Sequence, residues 1–248
     1  MRSSFTESTE KPSSAKRSRG SIGRKATRLT ESAGKFGPKV AVNLGPGSPG
    51  RRKRGDDVRQ RVLTAALECF GAFGYEGTST RAVAHRAKVT HTLVLYHFRS
   101  KEALWISMMD NVLHNYATAI ENTVSDPTLS ASDALRRFIE RFVRLHAQVP
   151  QIHRILTIEG NQNTPRLKWV IEKHLRRHYE AVINLIHKGQ MEGKVRQCDP
   201  ARLYYLILGT GTPYTIATEY KEFTGRDVFS ESEILRAIAF MYEIVFLE

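Results

Sequence analysis

The sequence predicts an all-α fold of about nine helices: a three-helix N-terminal head containing a helix-turn-helix, then a larger helical domain. Apolar residues recur at three- and four-residue spacing along most of the chain after residue 56, the mark of helices with one buried face. Helix-start signals punctuate it at Thr164-Pro165, Asp199-Pro200 and Ser230-x-x-Glu233, where a capping side chain precedes a helix-compatible turn. No stretch alternates with period two for long enough to make a half-buried strand, and no internal repeat is visible.

The first segment is not globular. The chain carries a formal net charge of +13. Residues 1–55 hold 14 Lys+Arg against 3 Asp+Glu, a net of +11, leaving +2 for the rest. They are rich in Ser, Gly and Pro and poor in aromatics, so burial cannot offset the entropy of ordering them, and a disordered basic tail is expected. It ends in Arg51-Arg52-Lys53-Arg54, just ahead of the first helix. Such a run suits an arm that contacts phosphates or the minor groove. An idle solvated tail and a misassigned start codon are the other readings.

The head is expected over residues 56–102. Its first helix runs from Asp57-Val58 to Phe73-Gly74, with Val58, Val62, Ala66, Phe70 and Phe73 on one face. A second runs from Thr80 to Ala87 on Val83, Ala84 and Ala87. Lys88-Val89-Thr90 makes a tight turn, and Thr90 is a good N-cap for a third helix from His91 to His97. Ala84 is small where two steeply crossed helices must approach, and Val94 and Phe98 supply the contact face. This is a helix-turn-helix, whose second helix enters the major groove of DNA.

The remainder, residues 103–248, reads as helix upon helix. A fourth helix spans about Lys101 to Val124 on Leu104, Met108, Val112, Tyr116 and Ile120, and Asp126-Pro127 ends it. A fifth spans about Ser132 to Val149, and a short sixth opens at Pro150 and ends near Gly160. A seventh runs from Pro165 to Gly189. An eighth starts at Pro200, and Pro213 should bend or break it. A final helix reaches about Leu247.

Thr78 to Leu104 resembles the DNA-binding domain of the TetR family of transcriptional regulators. The resemblance lies in Thr78-Ser79-Thr80, in Leu95-Tyr96-His97-Phe98 closing the recognition helix, and in Ser100-Lys101-Glu102-Ala103-Leu104. The Phe73-Gly74-Tyr75 and Gly77-Thr78-Ser79 steps and the Gly189 to Val195 turn fit as well. Two positions depart from the family pattern. Lys88 replaces the usual turn Gly, at a cost of roughly 1 kcal/mol if its backbone is left-handed. Leu95 replaces a Tyr and removes one hydroxyl.

The helix-turn-helix offers His91, Thr92, Leu93 and Tyr96 to the groove. His91 and Thr92 suit base edges or phosphates, and Leu93 a thymine methyl. Arg81 reaches a guanine edge or a phosphate. The resemblance implies that Tyr96, His97 and Lys101 contact phosphate, with Thr80 joining from a helix N-terminus; Lys88 and Arg99 read as solvated charges. It further implies a small-molecule effector in the larger domain, with binding coupled to release of DNA. Polar and aromatic residues in apolar stretches are the candidates: His146, Trp169, His174, Tyr205, Thr210 and Tyr214. His174 and His178 stand at i, i+4, which suits a metal grip or, more simply, two solvated histidines on a basic face.

In the same family the last two helices form a four-helix bundle with a second subunit. Here Tyr204, Tyr205, Ile207, Leu208, Ile234, Ile238, Met241, Ile244, Val245 and Phe246 supply apolar surface for a homodimer or for the subunit's own core. A dimer would read a palindromic double-stranded operator, since paired recognition helices ~34–36 Å apart meet successive major grooves.

Other classes lack their signatures. There is no apolar run of the ~20 residues a membrane span needs and no apolar leader. No phosphate loop, nucleophile elbow or paired carboxylates suggest an enzyme, and neither cofactor nor metal is expected. Cys69 and Cys198 are unpaired in sequence, which suits a reducing cytoplasm; Cys69 reads as a small buried hydrophobe, and Cys198 as a loop residue or a redox sensor. The expectation is a cytoplasmic, nucleoid-associated, sequence-specific repressor released by an effector. The alternative is an architectural protein binding DNA through its tail without sequence choice.

Overall fold

The structure, a computed structural model, describes residues 54–124, 126 and 128–247, with side chains described at 56–114, 126 and 128–247. Residues 1–53 of the expected tail, Arg51, Arg52 and Lys53 among them, lie outside the described residues. Arg54 opens the first helix, three residues before the expected Asp57.

That helix, α1 (Arg54–Gly77), places Asp56 and Asp57 in its first turn, where carboxylates complement the helix dipole. Val62, Ala66 and Phe70 are buried as the periodicity requires. Phe73 is not, being 36% exposed. Gly74 is the reason. At φ 67° it leaves the helical region, a conformation glycine adopts without steric cost. The chain turns there to stack Tyr75 on Phe70, with ring centroids 5.9 Å apart. The Thr78 hydroxyl, 2.8 Å from the Gly74 carbonyl and 3.1 Å from that of Cys69, ties off this end.

Next come α2 (Thr80–Ala87) and α3 (His91–Phe98). Ser79 caps α2 by accepting from the Ala82 amide, and Thr90 caps α3 by accepting from Leu93. Val83, Ala84 and Ala87 meet Val94 and Phe98 in the core. Lys88 sits at φ 55°, ψ 47°, so the family's preference for Gly here has the expected physical cause. Lys88→Gly should raise stability by up to ~1 kcal/mol, read as a shift in urea midpoint without a change in slope. A loss of stability would mean that entropy of the unfolded glycine outweighs the relieved backbone.

The helix α4 (Lys101–Val124) buries Leu104, Met108 and Val112 as expected, along with Trp105, Met109 and Leu113. The side chains of Tyr116 and Ile120 lie outside the described residues. There follow α5 (Ala131–Gln148), α6 (Pro150–Gly160), α7 (Pro165–Val170), a π-helical turn at Ile171–Leu175, α8 (Arg176–Met191), α9 (Pro200–Gly209), α10 (Thr212–Thr215), α11 (Ala217–Thr224) and α12 (Glu231–Val245).

Several boundaries differ from the sequence reading. Ser130, not Ser132, begins α5, because its side chain accepts from the Asp133 amide. The predicted seventh helix is interrupted by the π turn. The break at Pro213 exists, yet the chain resumes as α11, which polar composition concealed. The capping box of α12 is only half made: Ser230 Oγ accepts from the Glu233 amide at 3.4 Å. The Glu233 carboxylate instead accepts from the Tyr220 hydroxyl at 2.6 Å and pairs with Arg226 and Arg236.

The turn after α8 is held by close packing. A β-carbon on Gly189 would lie 2.5 Å from Val195 Cγ2, so only glycine fits. The Glu192 carboxylate accepts from the Ala131 and Ser132 amides at 2.9 and 3.2 Å, capping α5 from a distant segment. Val195 forms an isolated antiparallel bridge with Phe246, the only β-pairing among the described residues.

Two cores result. One joins α1–α3 to α4, α6 and α7 through Phe70, Phe98, Trp105, Met108, Ile155 and Val170, so apolar packing runs across the expected boundary at residue 102. The other, around Phe138, Phe142, Ile186, Ile207, Tyr214 and Met241, holds α5, α8, α9, α10 and α12. Among the described residues no helix is long and apolar enough to cross a membrane.

Candidate nucleic-acid interface

The head presents α3 outward. Val94 and Phe98 face the core, so helical geometry sends Thr92 and Tyr96 to the opposite side, where both are exposed and Tyr96 is 78% accessible. Leu95, at the family's Tyr position, is exposed too, while Leu93 and His97 are half-buried. Tyr96 and His97 pack edge to face, centroids 5.4 Å apart. Arg81, on the first turn of α2, is exposed as well.

Two of the expected phosphate contacts are engaged within the protein. Thr80 Oγ1 lies 2.9 Å from His91 Nε2, joining the first residue of α2 to the first of α3. Lys101 folds back on α1, with Nζ 4.3 Å above the Tyr75 ring and 3.5 Å from the Glu76 carbonyl. Lys88 and Arg99 are exposed, as read from the sequence. Arg86, which sequence reasoning passed over, pairs with Glu68 of α1.

Tyr75 is the meeting point of head and body. Its other cation is Arg166 of α7, whose guanidinium stands 3.6 Å from the ring centroid and 5.8 Å from that of Trp105. Arg166 pairs at 3.2 Å with Glu159 at the end of α6, a carboxylate in a residue only 2% exposed. Nothing in the sequence pattern marked this Lys101–Tyr75–Arg166–Glu159 stack, because the segments that supply it are far apart along the chain. Nearby, α1 touches α6 at Gly71, where a β-carbon would fall 2.8 Å from Gln151 Cβ.

The six residues singled out for an effector do not converge. His146 and the α9–α10 break come together: a β-carbon on Gly211 would lie 3.0 Å from His146 Cδ2 and 2.6 Å from His153 Nδ1. Burial pushes the His146 imidazole down to about 4, so it is neutral at pH 7. Thr210 lies at this break, but its hydroxyl donates to the Ile207 carbonyl at 2.6 Å. Tyr214 is buried in the second core beside Phe229. Trp169 and His174 belong to the other side, against Trp105 and Asp110. Tyr205 is 67% exposed on the outer face of α9.

Sequence reasoning missed His153 and Arg154 of α6, which face the same break. The Arg154 guanidinium donates twice to the Thr215 carbonyl at the end of α10, at 3.2 and 2.6 Å. His174 and His178 are neither a metal pair nor solvated. The π turn sends His174 to Asp110. His178 packs on Phe138 with ring centroids 5.5 Å apart. Burial pushes its imidazole down to about 4. Cys69 is buried and its thiol is pushed up to about 11, whereas Cys198 is exposed.

Comparison with known proteins matches both halves of this arrangement. Residues 62–108 match the family model described as bacterial regulatory proteins, tetR family, and residues 132–245 match the tetracyclin repressor-like C-terminal domain. The chain belongs to the TetR family of transcriptional regulators. It is 27% identical over 184 residues to the HTH-type transcriptional regulator RutR of Escherichia coli K12, covering 73% of this chain and 86% of that one. It is 25% identical over 173 residues to the A-factor receptor protein of Streptomyces griseus, covering 68% and 58%. In fold it is similar to a tetR-family protein from Rhodococcus RHA1 (TM-score 0.61, 22% identity, covering 76% and 96%). It is also similar to Bacillus subtilis FadR in complex with stearoyl-CoA (TM-score 0.55, 17%, covering 74% and 97%). TetR-family membership makes this chain a DNA-binding regulator with a helix-turn-helix, in preference to an architectural protein acting through its tail.

Proposed function

We propose that the protein is a dimeric repressor, cytoplasmic and nucleoid-associated, that binds a palindromic operator and is released from it by a small-molecule effector. The observation that carries the DNA-reading part is α3: capped at Thr90, held by Val94 and Phe98, and leaving Thr92 and Tyr96 exposed. Thr92 and Leu93 contact base edges, with His91. Arg81, Tyr96 and His97 contact phosphate or base edges from the flanks, and Lys101 does so only by leaving Tyr75. The Arg51 to Arg54 run adds counterion release as the chain enters the head.

Dimerisation through α9 and α12 is supported by their outer faces. Seven residues of the expected bundle surface, among them Ile207, Ile238 and Met241, are spent on the subunit's own core. What remains outward is Tyr205 and Leu206 on α9, with Leu235 and Phe240 on α12, 45–67% exposed. Gly209 and Ala239 lie on the same stripes, and small residues let helices approach closely. Effector binding is best supported at the α9–α10 break. There α6 carries His153 and Arg154 toward the break and Gln151, Ile152 and Ile155 toward the head, so one rigid helix meets both. The FadR of similar fold is a complex with stearoyl-CoA.

Selection from random duplex DNA at near-physiological salt, alongside a His91→Ala, Thr92→Ala variant, tests the proposal. A palindrome enriched by the wild type and lost in the variant is the expected result. Binding that follows salt and tail length alone, with no enriched sequence, would overturn it.

A further inference from the structure

We propose that Thr80 is a positioning residue for base readout: its hydroxyl donates to His91 Nε2 and so delivers the His91 Nδ1–H, as a donor, to a base acceptor in the major groove. This rests on α3 reading DNA, and it replaces the phosphate contact that the family pattern implies for Thr80.

The two side chains meet at 2.9 Å across the helix-turn-helix, 11 residues apart in sequence. Each is the first residue of its helix. A threonine within a helix can spend its hydroxyl on the carbonyl one turn back, but Thr80 has no preceding helical turn. Ser79, not Thr80, caps α2. The Thr80 hydroxyl is therefore spare, and the imidazole lone pair at Nε2 is a more basic acceptor than a hydroxyl oxygen.

An imidazole that accepts at Nε2 carries its proton on Nδ1. His91 is half-buried, so part of its side chain is open to solvent. With Nε2 engaged inside the protein, Nδ1 is the ring nitrogen left for a base. The ring lies next to Thr92 at the start of the recognition helix, the end that approaches base edges in a helix-turn-helix. A fixed N–H donor there selects an acceptor: purine N7, guanine O6 or thymine O4, and never a cytosine amino group. An unfixed imidazole can rotate and change tautomer, and would accept cytosine or adenine amino groups nearly as well. The bond between the helices is what makes His91 a reader.

The test compares binding-site selection by the full-length wild type, Thr80→Val, Thr80→Ser and His91→Ala. Valine keeps the shape of threonine without the hydroxyl, and helix content by circular dichroism establishes that each variant is folded. Thr80→Val and His91→Ala should lose preference at the same base pair of each half-site, by about tenfold, with the other positions retained. Thr80→Ser should restore it. Long-range proton–nitrogen spectra of the wild type should place the His91 proton on Nδ1, and Thr80→Val should shift that resonance pattern. Uniformly weakened binding in Thr80→Val, with the preference intact, would overturn the proposal and return Thr80 to a phosphate contact. A proton on Nε2 in the wild type would overturn it as well. A wild type without any sequence preference would overturn both this proposal and the operator reading beneath it.

Discussion

Arg166→Ala should destabilise the protein by on the order of 3 kcal/mol, a fall of roughly 10 °C in Tm for a domain of this size. The cause is what Arg166 leaves behind. Glu159 is 2% exposed, and without the guanidinium its carboxylate keeps only the Thr164 hydroxyl at 3.0 Å. An ion stranded in this way costs far more than the pair contributes when intact. Arg166 also covers Tyr75 at 3.6 Å, so packing is lost with the charge. Both tryptophans, Trp105 and Trp169, lie in this core and pack against each other at 6.5 Å, so their fluorescence follows the transition. Glu159→Gln keeps the shape and removes the ion, and should cost less than Arg166→Ala. Equal small losses, under ~1 kcal/mol for both, would mean that water screens the pair as at an ordinary surface.

Phe240→Glu should convert the protein to a monomer and lower operator affinity by about 100-fold or more. Phe240 is 59% exposed on α12, one of the large apolar residues that this helix leaves outward. A carboxylate there would be buried unpaired in a two-fold interface. The DNA effect follows from valency: two linked heads bind an operator far more tightly than one, by a factor of roughly 10² to 10⁴ without any new contact. Sedimentation gives the oligomeric state, and titration of the selected operator gives the affinity. Met191→Glu is the control, since Met191 is 88% exposed at the end of α8, off both stripes, and should leave both quantities unchanged. A dimeric Phe240→Glu with normal affinity would move the interface away from α12.

The candidate DNA-reading surface was legible because it is local. Ala84, Lys88, Thr90, Val94 and Phe98 are close neighbours along the chain, and caps, turn geometry and one buried face dictate which side chains face outward. The left-handed backbone at Lys88 was readable for the same reason. The effector candidates were not legible. Polarity in an apolar stretch marked Tyr205, which is on the surface, and Trp169, which belongs to the head-side core. It passed over His153 and Arg154, which face the α9–α10 break from a short helix marked in the sequence only by its start at Pro150 and its end near Gly160. The long-range stack at Tyr75 and the Thr80–His91 bond were equally hidden.

Helix periodicity, capping residues and charge distribution by themselves determined that this chain is all-α, that a helix-turn-helix begins near Thr80, and that most of its net charge precedes the fold. Each depends on neighbours within a turn or two, so the sequence carries the whole of it. Tertiary structure alone decided which apolar residues of α9 and α12 are core and which remain outward, and where α6 places its two faces. It also decided which expected DNA contacts are already bonded within the protein. Those outcomes depend on the docking of segments tens of residues apart, where a single close approach such as Gly71 on Gln151 or Gly211 on His153 sets which side chains share a neighbourhood.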